Sequence, residues 1–170
     1  MEDRKIIYFY GEPSPRVRDE DVYLNNYDLS GFKVGDQAYQ SVEHYFQSEK
    51  YRGYPNANAE EIRKAVIDAI DADTSKKLAR TYQDSDKQQS LNADHWHKWE
   101  ERKDQVMRDA IEYKFAQNEE LRKKLIETGD AVLIEDSPVD KYWGGAVEGS
   151  LNKLGNMLME YREKARKEQA

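Results

Sequence analysis

Cysteine is absent from the 170-residue chain. That excludes a disulfide scaffold, a thiol nucleophile and any zinc or iron–sulfur site built on thiolates. Long apolar runs are missing as well. The longest, Ile6–Tyr10 and Ala131–Ile134, fall far short of a membrane span. No apolar stretch of leader length follows the opening Met-Glu-Asp-Arg-Lys, so a soluble, cytoplasmic or nuclear protein is expected. Positive charge is not in excess: 27 Lys and Arg against 34 Asp and Glu give a net charge of −7. A general nucleic-acid coat protein, whose affinity rests on phosphate neutralisation, is therefore argued against. An enzyme that handles one nucleotide in a local basic pocket is not.

What is present is charge and aromatic rings. Charged residues make up 36% of the chain, against roughly a quarter in an average soluble domain. Three Trp, 12 Tyr and 4 Phe offset a modest hydrophobic share of 38%. Rings bury much area each, so a single core is feasible and wholesale disorder is not expected.

Lys5–Tyr10 reads as a strand ended by Gly11, with Pro13 and Pro15 marking a loop. Gly31–Tyr39 reads as a hairpin with its turn at Gly35-Asp36. Helices follow. Ser41 caps one running to about Arg52, and Asn58 with Glu61 forms a capping pair for another near 59–71. The second helix carries Ile62, Ala65, Val66, Ala69 and Ile70 as its apolar stripe. Asp73 caps a short helix holding Leu78, and polar Gln83–Ala93 reads as a loop. A long helix is expected from about Asp94 to Gln117, and a shorter one after Asn118 that stops before Gly129. Ala131–Glu135 is a second buried strand, Asp136–Leu151 a glycine-containing loop. The last helix starts near Asn152, buries Leu154, Met157, Leu158 and Tyr161, and frays over about 161–170. With no repeat and no linker, residues 1–170 form one domain, mainly α with a small β element.

The segment Ser41-Val-Glu-His-Tyr-Phe-Gln-Ser-Glu-Lys50 is the most informative. On a helix Glu43, Gln47 and Lys50 lie at i, i+4 and i+7, about 20° short of two turns with a rise of roughly 10 Å. Side chains lean toward the helix N-terminus, so Lys50 leans back toward Glu43. One face then offers a carboxylate, an amide and an amine to one ligand. The alternative is a solvated Glu/Lys face with Tyr45 and Phe46 in the core.

A second segment, Ser137-Pro-Val-Asp-Lys-Tyr-Trp-Gly-Gly145, offers a ring for stacking beside Asp140. Gly149–Gly155 leads into a helix N-terminus, a natural place for phosphate. A turn with an N-cap at Asn152 is the plain alternative. Trp99 and Lys103 are an i, i+4 pair, where the lysine either snorkels to water or faces a polar cleft. His44, His95 and His97 are too scattered for a metal site, since the last two sit about 200° apart on a helix.

In combination these segments resemble the NADAR, or YbiA-like, family. The likeness runs through Phe9-Tyr10-Gly11, Leu24-Asn-Asn-Tyr27, Ser41-Val-Glu-His-Tyr-Phe-Gln47 with Lys50, and Lys77-Leu-Ala-Arg80. It continues through Trp99 with Lys103 and Met107, Lys114-Phe115 with Asn118, Leu133-Ile-Glu135, Asp140-Lys-Tyr-Trp-Gly144 and Asn152-Lys-Leu-Gly155 to Leu158-Met159. The chain departs from the family at Leu24-Asn25-Asn26-Tyr27, where Leu-Ser-Asn-Phe is usual, and at Ala79, where a glycine precedes the arginine. The loop Gly144–Asn152 is also about one residue shorter, with one glycine fewer. These departures fall on the expected phosphate and distal-ribose contacts rather than on the Glu43–Lys50 face.

The resemblance implies a mainly α fold and an N-glycosidase that cleaves between a ribose C1 and an amino nitrogen on a pyrimidinone-like ring. Two substrate classes accompany it: ADP-ribose on the guanine amino group, in nucleotide, DNA or RNA, and ribosylamino-pyrimidine phosphates of riboflavin biosynthesis. Cleavage builds positive charge at C1 and negative charge on the departing nitrogen, which calls for a carboxylate and an acid. A lysine with a lowered pKa offers covalent catalysis through an imine. Lys50 is expected as nucleophile, with Glu43 and Asp140 moving protons. Tyr142 and Trp143 would wall the base, and Trp99 would close the cleft. Asn25, Asn26, Arg80 and Asn152 would bind ribose hydroxyls and phosphate. Tyr10, Gly11, Gln47, Lys103 and Gly144, in the matching blocks, complete the expected binding set. No cofactor or metal is needed for hydrolysis. A non-catalytic ADP-ribose-binding module and a helical interaction domain are the rival classes.

Overall fold

Apolar residues at helical spacing mark most of the helices, and two short apolar runs pair as strands. The computed structural model describes residues 4–169. Met1–Asp3, part of the segment read for a leader, and Ala170, the end of the expected frayed tail, lie outside the described residues. The order is β1 (Ile6–Phe9), a 3-10 helix (Asp19–Leu24), β2 (Phe32–Val34), β3 (Gln37–Tyr39), α1 (Val42–Glu49), α2 (Ala59–Ile67) and α3 (Ala72–Gln89). Then come α4 (Ala93–Gln117), α5 (Glu119–Glu127), β4 (Val132–Glu135) and α6 (Lys153–Gln169). The protein is predominantly α-helical with a small β element. Two compact units divide it, one joining the chain up to Asp28 with Phe115 onward, the other Leu29–Lys114. No helix among the described residues is long and apolar enough to cross a membrane.

In the first unit β1 and β4 pair in parallel, Ile6 opposite Val132 through Phe9 opposite Glu135. The helix α6 packs on β4. Its backbone approaches so closely that a Cβ at Gly155 would strike the Leu133 carbonyl, which accounts for the glycine. The last helix remains helical, and largely exposed, beyond Arg162. It runs regularly to Gln169 and buries Arg162 and Ala165. Arg162 Nη1 donates to the carbonyl of Ala131 at 2.8 Å and to Thr128 Oγ1 at 2.9 Å, which offsets part of the cost of burying its charge, while its Nε is buried without a hydrogen-bond partner.

The second unit is built around α1. All eight of its residues are buried, because α2, α3 and β3 pack around it. Ser41 caps it by accepting from the His44 N–H at 3.2 Å. The hairpin turns at Gly35-Asp36 as the pattern predicts, with Val34 opposite Gln37 and Gly35 at φ +59°. Phe32, Tyr39, Tyr45 and Tyr113 pack as one aromatic cluster with centroids 5.0–6.0 Å apart.

Several expectations are corrected here. Asn58 makes no side-chain cap bond, and α2 ends at Ile67 rather than near 71. Ala65 is exposed and Ile70 lies 83% exposed beyond the helix end. The cap of α3 is Asp71, which accepts from Thr74 N–H at 2.7 Å. Asp73 sits in the first turn and pairs with Lys77 at 2.6 Å. Most of the polar stretch read as a loop, Gln83–Gln89, is helix. Its inward residues, Gln83 and Asp86, are polar but bonded, so no apolar period marks that face.

Candidate active site

The first cluster lies on α1. Glu43 is 6% exposed, Gln47 3% and Lys50 7%, which overturns the solvated alternative. Gln47 Nε2 donates to Glu43 Oε1 at 2.6 Å. Its other amide atom, Oε1, is buried without a hydrogen-bond partner. A buried acceptor left open costs free energy unless a ligand donor meets it. Lys50 caps the C-terminal end of α1, and its Nζ donates to Gln83 Oε1 at 3.2 Å. Glu43 and Gln47 thus meet at the spacing of one helical turn, and α3 brings Gln83, which the sequence hides in an apparent loop, to Lys50.

Burial pulls the Lys50 amine down to about 8 from its ordinary 10.5; Glu43 opposes this, and Arg80, Lys87 and Lys76 reinforce it. Those three cations and Gln83 occupy positions 76, 80, 83 and 87 of α3, the i, i+4, i+7, i+11 stripe of one helical face. Arg80 is exposed and acts on Lys50 through charge. An amine in this setting is partly neutral near physiological pH and can act as a nucleophile.

Behind Lys50 the backbone is anchored. His95 Nε2 donates to the Lys50 carbonyl at 2.6 Å. Glu49, buried beside it, meets Arg52 at 2.7 Å, Arg63 at 3.4 Å and Arg102 at 3.7 Å. Burial pushes the Glu49 carboxyl up, but the Arg52 hydrogen bond and the three arginine charges outweigh it and hold its pKa below the ordinary value. Asp86 is a second buried hub, its Oδ2 accepting from Tyr54 at 2.8 Å and from Asn92 and Trp96 at 2.9 Å. Glu49, Asp86 and Gln83 were all missed from sequence, since only tertiary contacts distinguish them from surface residues. Trp99 is buried edge-on to Phe46, centroids 5.0 Å apart. Lys103 Nζ donates to Glu100.

The second cluster is the loop after β4, in the other unit. Asp140 Oδ1 accepts from the N–H groups of Tyr142 at 2.8 Å and Trp143 at 2.9 Å, which sets the turn that presents both rings. These two rings meet edge to face at 4.9 Å, and Lys153 Nζ lies 4.5 Å from the Tyr142 centroid. A Cβ at Gly144 would collide with the Asp140 carbonyl, so the turn requires glycine there. Tyr10 hydrogen-bonds Ser137; burial raises its hydroxyl's pKa while that bond opposes the rise. Gly11 lies against the Tyr27 ring, 3.2 Å from where its Cβ would stand.

Two residues expected at the ligand, Asn152 and Asn25, bond within the fold. Asn152 Nδ2 donates to the Leu133 carbonyl at 2.8 Å and its Oδ1 accepts from Glu135 N–H at 3.2 Å, so the amide pairs with β4 like a strand edge. Asn25 likewise donates to Val22 O at 2.6 Å and accepts from Tyr27 and Asp28 N–H at 2.7 and 2.9 Å. Asn26, half-buried beside it, is already engaged in other contacts. The phosphate cradle expected before α6 is filled from within. The N–H groups of Leu151, Asn152, Lys153 and Leu154 donate to the carbonyls of Lys141, Gly144, Tyr142 and Trp143 at 2.8–3.3 Å.

The histidines act separately. His44 lies between Ser41 Oγ (2.7 Å) and the Ala69 carbonyl (3.1 Å), and His97 pairs with Glu101 at 3.3 Å. Among the described residues no three His, Asp or Glu groups are placed to hold a metal ion.

Comparison with known proteins places these clusters in context. The NADAR domain matches residues 8–166. The chain is 34% identical over 161 residues to an N-glycosidase of Nostoc punctiforme, covering 94% of this chain and 92% of that one. It is 35% identical over 159 residues to N-glycosidase YbiA of Escherichia coli, covering 93% and 87%. The NMR structure of E. coli YbiA superimposes with a TM-score of 0.73 at 29% identity, covering 97% of this chain and 88% of that one. A chloroplastic riboflavin biosynthesis protein of Zea mays, PYRR, is 37% identical over 123 residues, 72% of this chain but 19% of its own.

Proposed function

The chain belongs to the NADAR domain family, and from that membership we propose that it is an N-glycosidase that removes ADP-ribose from the amino group of guanine, in nucleotide, DNA or RNA. The observation that carries the reading is the buried Lys50 amine, brought to about 8, on one helical face with Glu43 and Gln47. In the proposed reaction neutral Lys50 Nζ bonds to ribose C1 while the bond from C1 to the guanine amino nitrogen breaks. The departing nitrogen takes the proton that Lys50 Nζ loses on bonding to C1, with the Glu43 carboxylate as the proposed relay. The ring oxygen then leaves C1 with a proton to give the imine, and water adding at C1 releases the sugar and restores Lys50. Gln47 orients Glu43 and offers its open Oε1 to a substrate donor. Asp140 holds the turn that presents the Tyr142 and Trp143 rings, and its bonded Oδ1 suits it better to this task than to proton transfer.

The likeness to a riboflavin biosynthesis protein favours a second reading, in which the substrate is a ribosylamino-pyrimidine phosphate. It presents the same kind of bond to the same groups. Incubation with ADP-ribosylated guanosine should release ADP-ribose. Cleavage of the pyrimidine alone would reverse the substrate choice. Tight binding of ADP-ribose with no cleavage of either would leave a binding module.

A further inference from the structure

On the anchors behind Lys50, the second unit carries an open depression of about 790 Å³ lined by Arg52, His95, Lys98 and Arg102, with Asp94 its one acidic residue. In a chain of net charge −7 such a gathering of cations is local and specific. We propose that this depression is a second anion site, which takes the phosphodiester backbone of a nucleic-acid strand bearing the modified guanine. The choice of strand rests on the N-glycosidase reading; the anion site itself does not.

The arginines are held in place for this task. Arg52 uses Nε and Nη2 on Glu49 at 2.8 and 2.7 Å, so Nη1 remains for a ligand, and the side chain is 57% exposed. Arg102 is fixed by the Glu49 carbonyl and stands 5.2 Å from the Trp99 centroid. The single charge of Glu49 is shared by three arginines, counting Arg63, so the group stays positive. Lys98 is exposed and makes no hydrogen bond or ion pair among the described residues. The first turn of α4, which opens at Ala93, adds the positive end of a helix dipole to a site that the side chains define.

The chemistry fits phosphate rather than a base. The open Nη1 of Arg52 and the Lys98 ammonium suit phosphate oxygens, and His95 is the one aromatic ring in the lining. Openness suits a strand passing over it. The depression also reaches the backbone of Lys50, since His95 binds the Lys50 carbonyl at 2.6 Å.

The test uses the whole protein and a fluorescently labelled, unmodified single-stranded DNA of about 12 nucleotides. Lys98→Glu, at an exposed position outside the catalytic group, should weaken strand binding about tenfold. Lys98→Ala should lower the slope of log affinity against log salt by about 0.7, the value for one single-strand phosphate contact. Strand binding that ignores both substitutions, or no strand binding at low salt, overturns the proposal. Inorganic pyrophosphate displaced by Lys98→Glu, with no strand bound, overturns the strand and leaves a small-anion site. With modified guanine as substrate, Lys98→Glu should raise KM in an oligonucleotide and leave the free nucleoside unchanged. If neither substrate is cleaved, the N-glycosidase reading fails while the binding result stands by itself.

Discussion

Replacing Lys50 with methionine should remove activity and yet stabilise the protein near neutral pH. The amine has an ordinary value of 10.5 and is brought to about 8 in the fold. At 1.36 kcal/mol per unit, holding it protonated in the native state costs roughly 3 kcal/mol at about pH 7. Methionine fills a similar volume without a charge, although it forfeits the bond to Gln83 and leaves Glu43 without its cation, together about 1–2 kcal/mol. A net gain of about 1–2 kcal/mol for Lys50→Met follows at about pH 7. The sign of the pH dependence is the sharper test. Between the two values the unfolded chain binds a proton at Lys50 and the folded chain does not, so wild-type stability rises with pH. By about pH 9.5 the penalty falls to about 1.5 kcal/mol, and the gap between the proteins moves by about 2 kcal/mol toward wild type. Urea unfolding of both proteins across this range measures it. Parallel curves would mean that Lys50 titrates normally, and the argument for its nucleophilicity would fail.

Lys50→Arg should lose at least about 10³ in kcat, since a guanidinium keeps the charge but supplies no neutral amine, and borohydride added during wild-type turnover should trap an adduct on Lys50. A highly active Lys50→Arg enzyme with no adduct would point to direct hydrolysis assisted by Glu43. Because a neutral amine is required, kcat/KM should rise with pH to a plateau above about 8. Lys76→Ala together with Lys87→Ala removes two cations that depress Lys50, so that profile should move to higher pH; an unmoved profile would refute their electrostatic role. Asn152→Ala leaves Leu133 O and Glu135 N–H without their partner and should cost about 2–3 kcal/mol in thermal or urea unfolding. A loss of substrate affinity at full stability would instead return Asn152 to the ligand.

Much of the fold is legible from local pattern. The β1 and β4 runs, the Gly35-Asp36 hairpin, the Ser41 cap and the long α4 each follow from residues close in sequence, because turns, caps and amphipathic periods are short-range effects. The Glu43–Gln47–Lys50 face is likewise helical arithmetic. What that arithmetic does not contain is burial. Whether Lys50 sits in water or against Gln83 depends on α3 lying across α1, and with it the pKa that gives the amine its chemistry. The inward face of α3 at Gln83 and Asp86 is polar and reads as a loop until Lys50, Tyr54, Asn92 and Trp96 satisfy it. Asn152 reads as a cap or a ligand until β4, 17 and 19 residues away in sequence, accepts its amide as an extra strand edge. Charge and hydrogen-bonding capacity belong to the residue, but which partner uses them, and in what dielectric, belongs to elements distant along the chain.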